Sequence, residues 1–444
     1  MNRISPSLVA ITGALAAVLL AGGSPRPASA EATQPLTLYV DRDSVGGTCS
    51  DSRPAATARS TKTPWCSLER AVAAAPSGAT VLVRAGTYPE LEISRNHTRS
   101  ERVLFKRYDK ENVVLEGLRT KDASLLRFHG FRITSYVKLG NGSRSIELVA
   151  NDLSPHGIHM RGVDGVLILG NRIHDIAPRA ADGTCGCAIW AQYWDEPGVR
   201  NVTVRANTIV NLGGDGVHFG NGRNIVIEYN TIMNALKTGN GDHVDTIQIM
   251  RAYPLVIRGN LLRGNQHGIM FTDHASPGVV IENNVIADMG SYGINAGDIP
   301  DARIVNNTFW NNRYGAALIR DDKRDPAEPV NVVFKNNILD AQRSNAAWFA
   351  EHDYNLIAKG ERYGRHDRGG TPRFVDAAAG DFRLARNSAG IDIGTSAGTP
   401  TRDRWGRLRR DHPTRRNLGG GRLAYYDIGA HEYQPPQRAA KTRR

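Results

Sequence analysis

From about residue 160 onward the chain repeats one arrangement of apolar and polar positions. Short stretches alternate apolar and polar residues, reach an Asn, and end in an apolar pair. They are LILGNRI from Leu167, VTVRANTI from Val202, IVIEYNTI from Ile225, LVIRGNLL from Leu255, VVIENNVI from Val279, ARIVNNTF from Ala302 and VVFKNNIL from Val332. Strict alternation is the pattern of a strand with one buried face. The Asn residues are Asn171, Asn207, Asn230, Asn260, Asn284, Asn307 and Asn337, with steps of 36, 23, 30, 24, 23 and 30 residues. A period near 23 with variable insertions predicts a coil of short strands. No single repeat can bury its apolar face alone, so successive coils must stack.

A second strand precedes each of these, read from the pentads GIHMR, AIWAQ, GVHFG, TIQIM, GIMFT, GINAG and GAALI. Positions two and four are apolar and point into the coil; positions one and three are small or polar. Gly and Asn mark the turns, and an Asn at one fixed place per coil predicts a hydrogen-bonded ladder. Equal positions on stacked strands form columns. Position three, facing outward, gives His159, Trp190, His218, Gln248, Met270, Asn295 and Ala317. The residue before each pentad gives His156, Cys187, Asp215, Asp245, His267, Tyr292 and Tyr314. Both columns are richest in ionisable groups at the GVHFG, TIQIM and GIMFT rungs.

The opening and closing segments complete the picture. LYVDRDSVGGTCSDS, then TPWCSLERAVAAAPSGATVLVRAGTYPE, reads as a strand, a helix near 67–75 and a first coil. RFVDAAAGDFRLA, SAGIDIGT and YYDIGAHEY read as a closing segment, in which His431 is structural. With the repeats, these segments resemble the right-handed parallel β-helix proteins, the pectate-lyase-like superfamily, over nearly the whole mature chain. The resemblance implies an all-β, single-stranded right-handed parallel β-helix with a short N-terminal helix cap and a C-terminal closing segment. It leaves the reaction open, because the fold hosts lyases, hydrolases, epimerases and binders. The expected divisions are a signal peptide over 1–30, the β-helix over 31–390, the closing segment over 391–433 and a basic disordered tail over 434–444.

Export follows from the first thirty residues: Arg3, an apolar run over 8–20 and the small-residue site Ala28-Ser29-Ala30. The run is too short to span a bilayer, so the expectation is a secreted, extracellular monomer without membrane insertion. Cysteine usage agrees. Cys49 and Cys66 flank a Ser/Thr/Ala-rich loop and are expected to pair. Cys185 and Cys187, in TCGC, can pair in a strained ring, stay reduced or bind a metal. The net charge of +12, with an Arg-rich run from Arg402 to Arg416, favours polyanions. For an exported chain that points to an anionic extracellular polysaccharide and away from nucleic acid; the plain alternative is a basic but inert surface.

Four long turns, over 178–186, 193–200, 235–244 and 320–329, are expected to wall a groove along the pentad sheet. Tyr193, Trp194 and Trp190 offer aromatic faces for sugar rings, and Gln248, His267 and Lys323 are further substrate-binding candidates. β-Elimination on a uronic-acid polymer needs a cation against the sugar carboxylate, a base for the carbon-5 proton, and a proton for the leaving oxygen. Arg251 or Lys323 is the candidate neutraliser. His218 or His243 is the candidate base, with Asp245 beside it. Asp215 and Asp245, on adjacent rungs, are candidate ligands for Ca²⁺, or alternatively the acid and base of a hydrolase. An epimerase would use the same parts, and a non-catalytic binder none of them. Each residue also has a plain structural reading: Asp215 precedes Gly216 as in an Asx turn, and Arg251 can serve a structural ion pair.

Overall fold

The computed structural model describes residues 36–94, 99–178, 185–191, 198–235, 244–272, 274–319, 331–341 and 349–435. Three parallel sheets wind around one apolar interior. Sheet 1 has 13 strands, from Thr37–Val40 to Glu351–Asp353; sheet 2 has 13, from Gly86–Tyr88 to Arg368–Gly369; sheet 3 has 10, from Leu91–Ser94 to Gly315–Ile319. One coil runs through Asp164–Leu169 in sheet 1, Arg172–His174 in sheet 2 and Ile189–Ala191 in sheet 3. It then re-enters sheet 1 at Val199–Arg205. The pentads are therefore sheet 3. The apolar pair after each Asn, legible only as an appendage in the sequence, is a strand of sheet 2.

Alternation places the interior. Val204, Ile227, Ile257, Ile281, Ile304 and Phe334 stack in register along sheet 1, all fully buried. Each such side chain contributes roughly 1.5–3 kcal/mol relative to exposure. Aromatic rings continue the stacking at both ends, Phe105 on Phe128 at 5.3 Å and Phe309 on Phe334 at 6.0 Å.

The corner between sheets 1 and 2 is built from two residues per coil. The first adopts a left-handed conformation, with φ of 51° at Ala150, 53° at Ala206, 57° at Tyr229 and 55° at Asn283. The second is the ladder Asn. Asn230 donates from its backbone N–H and its Nδ2 to Asn260 Oδ1, at 2.9 and 3.0 Å, and from Nδ2 to the Val204 carbonyl at 2.9 Å. The same pattern runs through Asn151, Asn171, Asn207, Asn260, Asn284, Asn307, Asn337 and Asn355. It ends on Asp367, whose Oδ1 accepts from Asn355. A left-handed Ala or Tyr is unfavourable by about 1–2 kcal/mol; the ladder supplies the hydrogen bonds that hold it there.

Both ends are closed. At the start, Ser67 caps the helix Leu68–Ala74 by accepting from the Arg70 N–H at 3.1 Å. Leu68, Ala71 and Trp65 cover the first coil, and a disulfide joins Cys49 to Cys66, as expected. At the far end, Phe374–Asp376 pairs antiparallel with Asp381–Leu384. Ile338 and Leu356 of the last coils pack against Leu384, Ile391, Ile393 and Ile428 of the closing segment. That segment also lies along the sheet 1–sheet 2 corner. Asn283 Nδ2 donates to the Arg402 carbonyl at 2.8 Å, and Asn336 Oδ1 accepts from the Thr395 N–H at 2.9 Å. Buried Arg409 bonds Glu432 at 3.1 Å and Asn283 at 2.8 Å. The expected signal segment over 1–30 and most of the expected tail lie outside the described residues. Among the described residues, no helix is long and apolar enough to cross a membrane.

Candidate functional site

Sheet 3 register fixes the columns. The outward row runs Glu92, Arg119, Lys138, His159, Trp190, His218, Gln248, Met270, Asn295 and Leu318. Its last member corrects the sequence reading. Gly315 pairs with Tyr292 and Ala317 with Ile294, so Ala317 is interior, Leu318 takes the row, and Tyr314 falls outside the second column. The cause is the Ala316-Ala317 pair: two small apolar residues fit either face, so alternation does not fix the register there.

Four of the candidate residues meet toward the N-terminal edge of three neighbouring sheet 3 strands, Val217–Phe219, Asp245–Ile249 and His267–Phe271. His218 Nδ1 lies 2.9 Å from Asp215 Oδ2. Asp215 Oδ1 accepts from the Asp245 backbone N–H at 2.9 Å. His267 Nδ1 lies 2.7 Å from Asp245 Oδ1, across the rung pairing that aligns the two residues. Two Asp–His pairs thus span three consecutive rungs, joined by one backbone hydrogen bond. Each carboxylate binds the Nδ1 side of its imidazole and so fixes the orientation of the ring. Asp245 is fully buried, and Asp215 and His218 are each 7% exposed. Burial pushes the Asp215 carboxyl above the usual carboxylate range; the His218 hydrogen bond opposes this and the Asp245 charge adds to it.

Cys185 and Cys187 form a disulfide, and Cys187 Sγ stands 3.9 Å from Asp215 Oδ2. Of the three states open to the TCGC pair in the sequence, this structure holds the oxidised one. Cys185, Cys187 and Asp215 are also the group of possible metal ligands found among the described residues, with both sulfurs already spent on each other. The Ca²⁺ expectation does not fit these residues. Asp215 commits both oxygens to hydrogen bonds and Asp245 lies fully buried at His267. Among the described residues the neighbouring side chains supply nitrogen and sulfur, whereas Ca²⁺ takes six to eight oxygens.

The remaining candidates are placed differently. Gln248 follows His218 in the row. Trp190 precedes it, half-buried, and meets His159 edge-on at 4.9 Å. Arg251 is exposed beyond the other end of its strand, three residues from Gln248, or roughly 10 Å. Its guanidinium faces Tyr253 at 5.9 Å, where Arg223 also gathers. It is therefore across the sheet from the Asp–His pairs. His243, Tyr193, Trp194 and Lys323 lie outside the described residues.

Sequence reading missed a platform that continues the row upstream. Tyr136 stacks on His156 at 4.1 Å and lies 4.8 Å from His159, and Lys138 Nζ is 4.8 Å from the Tyr136 ring. Burial, reinforced by Lys138, lowers His159 to about 4, so it is neutral at pH 7. The signal was present: YVKLG from Tyr136 is the same pentad one coil earlier than the first one counted.

A stack of parallel strands in three sheets, with a polar row on the outer face of one, defines a β-helix protein. The chain matches the model of the right handed beta helix region over residues 80–339 and belongs to that family. It is similar in fold to a pectate lyase, Pel9A, at 14% identity, covering 90% of this chain and 96% of that one with a TM-score of 0.43. It is also similar to the A-module of the mannuronan C-5 epimerase AlgE6 of Azotobacter vinelandii, at 15% identity, 75% and 98% coverage and a TM-score of 0.46. A rhamnogalacturonan lyase matches at 13% identity, 68% and 87% coverage and a TM-score of 0.42. No curated protein matches the chain.

Proposed function

We propose that the protein is a secreted polysaccharide lyase that cleaves an acidic, uronic-acid-containing polymer by β-elimination. The observation that carries this reading is the two linked Asp–His units, spanning three consecutive rungs, beside an aromatic and basic row. Elimination needs a base and an acid near the same glycosidic bond. His218, oriented by Asp215, is the base that takes the carbon-5 proton once polymer binding opens its buried Nε2. The released electron pair forms the carbon-4–carbon-5 double bond as the carbon-4–oxygen bond breaks. His267, oriented by Asp245, returns a proton to the leaving oxygen. Lys138 along the row, with Arg251 and Arg223 at the sheet edge, supplies positive charge for the polymer's carboxylates. Trp190 and Tyr136 supply apolar faces for its rings. The hydrolase alternative is weakened because Asp215 and Asp245 stand buried and hydrogen-bonded behind imidazoles, where neither can flank a bond as a free carboxyl.

The test is absorbance near 235 nm with polygalacturonate, alginate and glycosaminoglycans, comparing wild type with His218→Ala and Asp215→Asn. Wild type is expected to generate unsaturated ends. His218→Ala should lose about 10²–10⁴-fold in rate, the usual worth of a general base. New reducing ends without absorbance would replace the lyase by a hydrolase. Neither signal on any polymer, with binding retained, would make the row a non-catalytic carbohydrate surface.

A further inference from the structure

The closing segment carries a cavity of about 390 Å³ that the chemistry above does not use. Its walls include Asp381, Arg383, Arg404, Trp405, Arg407 and His431. The segment is anchored at the sheet 1–sheet 2 corner through Asn283 and the Arg402 carbonyl, on elements other than the sheet 3 strands that bear His218.

Arg404 is the unusual member. It is 7% exposed, its Nε has no hydrogen-bond partner, and it makes no ion pair among the described residues. Its neighbour Asp403 is not available to it. Asp403 Oδ1 accepts from the Trp405 and Arg407 N–H groups, both at 2.9 Å, and Oδ2 accepts from the Glu432 N–H at 3.3 Å. Arg409, five residues on and equally buried, shows what satisfaction looks like in this segment: it bonds Glu432, Asn283 and three backbone carbonyls. The nearby Asp403 charge favours the Arg404 guanidinium, but a buried guanidinium with no anion hydrogen-bonded to it is unfavourable unless a partner arrives. Burial lowers Arg404 only to about 10, so it keeps its charge at neutral pH.

The surroundings describe the partner. Arg404 Cζ lies 4.5 Å over the Trp405 ring, yet Trp405 remains 55% exposed, leaving indole surface open to solvent. Arg383 is neutralised by Asp381 at 2.5 Å, whereas exposed Arg407 adds charge to that of Arg404. His431 is 4% exposed, has no partner at Nδ1, and is held neutral at physiological pH because burial lowers it to about 3. A planar fork for a carboxylate, an open aromatic face for a ring and a neutral imidazole for a hydroxyl converge on one cavity. We propose that this cavity binds a carboxylate-bearing pyranose of an acidic saccharide, with the carboxylate on Arg404 and the ring on Trp405. The site holds substrate or product without cleaving it, and the inference does not depend on the chemistry assigned to His218.

The test is calorimetric titration of the full-length protein with trigalacturonate, maltotriose and inorganic sulfate, in wild type, Arg404→Met, Trp405→Ala and His218→Ala. Trigalacturonate is expected to bind wild type and His218→Ala alike at this site. Its dissociation constant should rise at least tenfold in both Arg404→Met and Trp405→Ala. Trp405 is exposed, so its variant keeps the fold, which circular dichroism verifies. Unchanged binding in both variants, binding lost only in His218→Ala, or equal binding of maltotriose or sulfate would overturn the proposal. A wild type that binds trigalacturonate through Arg404 but forms no unsaturated product would sink the lyase reading and leave this one standing.

Discussion

At the scale of single residues, the backbone and the ionisable groups explain each other. Asp392 is left-handed, with φ of 57°, fully buried, and its Oδ2 has no partner. Burial pushes its carboxyl up to about 6. An unfolded Asp ionises near 3.9, so between about pH 4 and 6 the native state binds more protons than the unfolded one. Its contribution to stability is therefore present below pH 4 and is lost as pH rises towards 6. Asp392→Asn removes the charge, keeps the Oδ1 acceptor for the His412 N–H, and suits a left-handed backbone. The variant is expected to be more stable than wild type at pH 8 by roughly 2–3 kcal/mol, since a pKa unit is worth about 1.4, and close to it at pH 4. Thermal melts at the two pH values decide it, and equal shifts at both would rule the explanation out. The candidate site was legible at this scale because columns recur. Asp215, His218, Asp245 and His267 share two positions of a repeat, and the repeat brings them together. Arg251 lacked such a constraint: nothing in the pattern says which edge of the strand a residue beyond its end will face. Arg404 was hidden for a different reason. An unpaired buried guanidinium is visible only once its would-be partners are seen to be spent.

At the scale of elements, the Asn column does the work of a second backbone. Replacing Asn260 by Ala removes the acceptor of two Asn230 donors and the donor to the Ile227 carbonyl. Each buried group left unsatisfied costs about 1–3 kcal/mol, so Asn260→Ala is expected to destabilise by roughly 3–5 kcal/mol. A melting curve within a degree of wild type would show that the ladder decorates the corner without holding it. The ladder and sheet 1 were readable from alternation followed by Asn. Sheet 2 was not, because its strands are often three residues long, as at Arg172–His174 and Leu261–Arg263. Three residues are too few for a period of two to declare itself.

At the scale of the whole molecule, the ends decide whether the stack exists at all. A solenoid needs its terminal coils covered, and open strand edges recruit other chains. Ending the chain after Gly370 removes Leu384, Ile391, Ile393 and Ile428 from Ile338 and Leu356. Such a truncation is expected to aggregate, as multi-angle light scattering after size exclusion would register; a stable monomer would show that the last coil needs no cover. The fold was legible because one repeat unit determines all its copies. The closing segment was recognised only as a motif, since its irregular path along the corner depends on contacts such as Asn336 with Thr395, 59 residues apart.

The ladder has a further property. Every ladder Oδ1 accepts from the Asn of the preceding coil, so the column has a sense of direction and finishes on a group that only accepts. Asp367 is that group. Burial alone would raise its carboxyl, but the His352 hydrogen bond, with backbone N–H groups, outweighs this and holds it below the usual range. A carboxylate in place of an amide is thus a full stop in a sentence of identical words. The closing segment is tied to Arg263, Asn283, Asn306 and Asn336, so whole coils can be inserted or excised only between the first helix and that stretch while neither terminus registers the change. The length of the outward row on sheet 3 is then a count of repeats, set like the divisions on a ruler and independent of the four residues of the two Asp–His pairs.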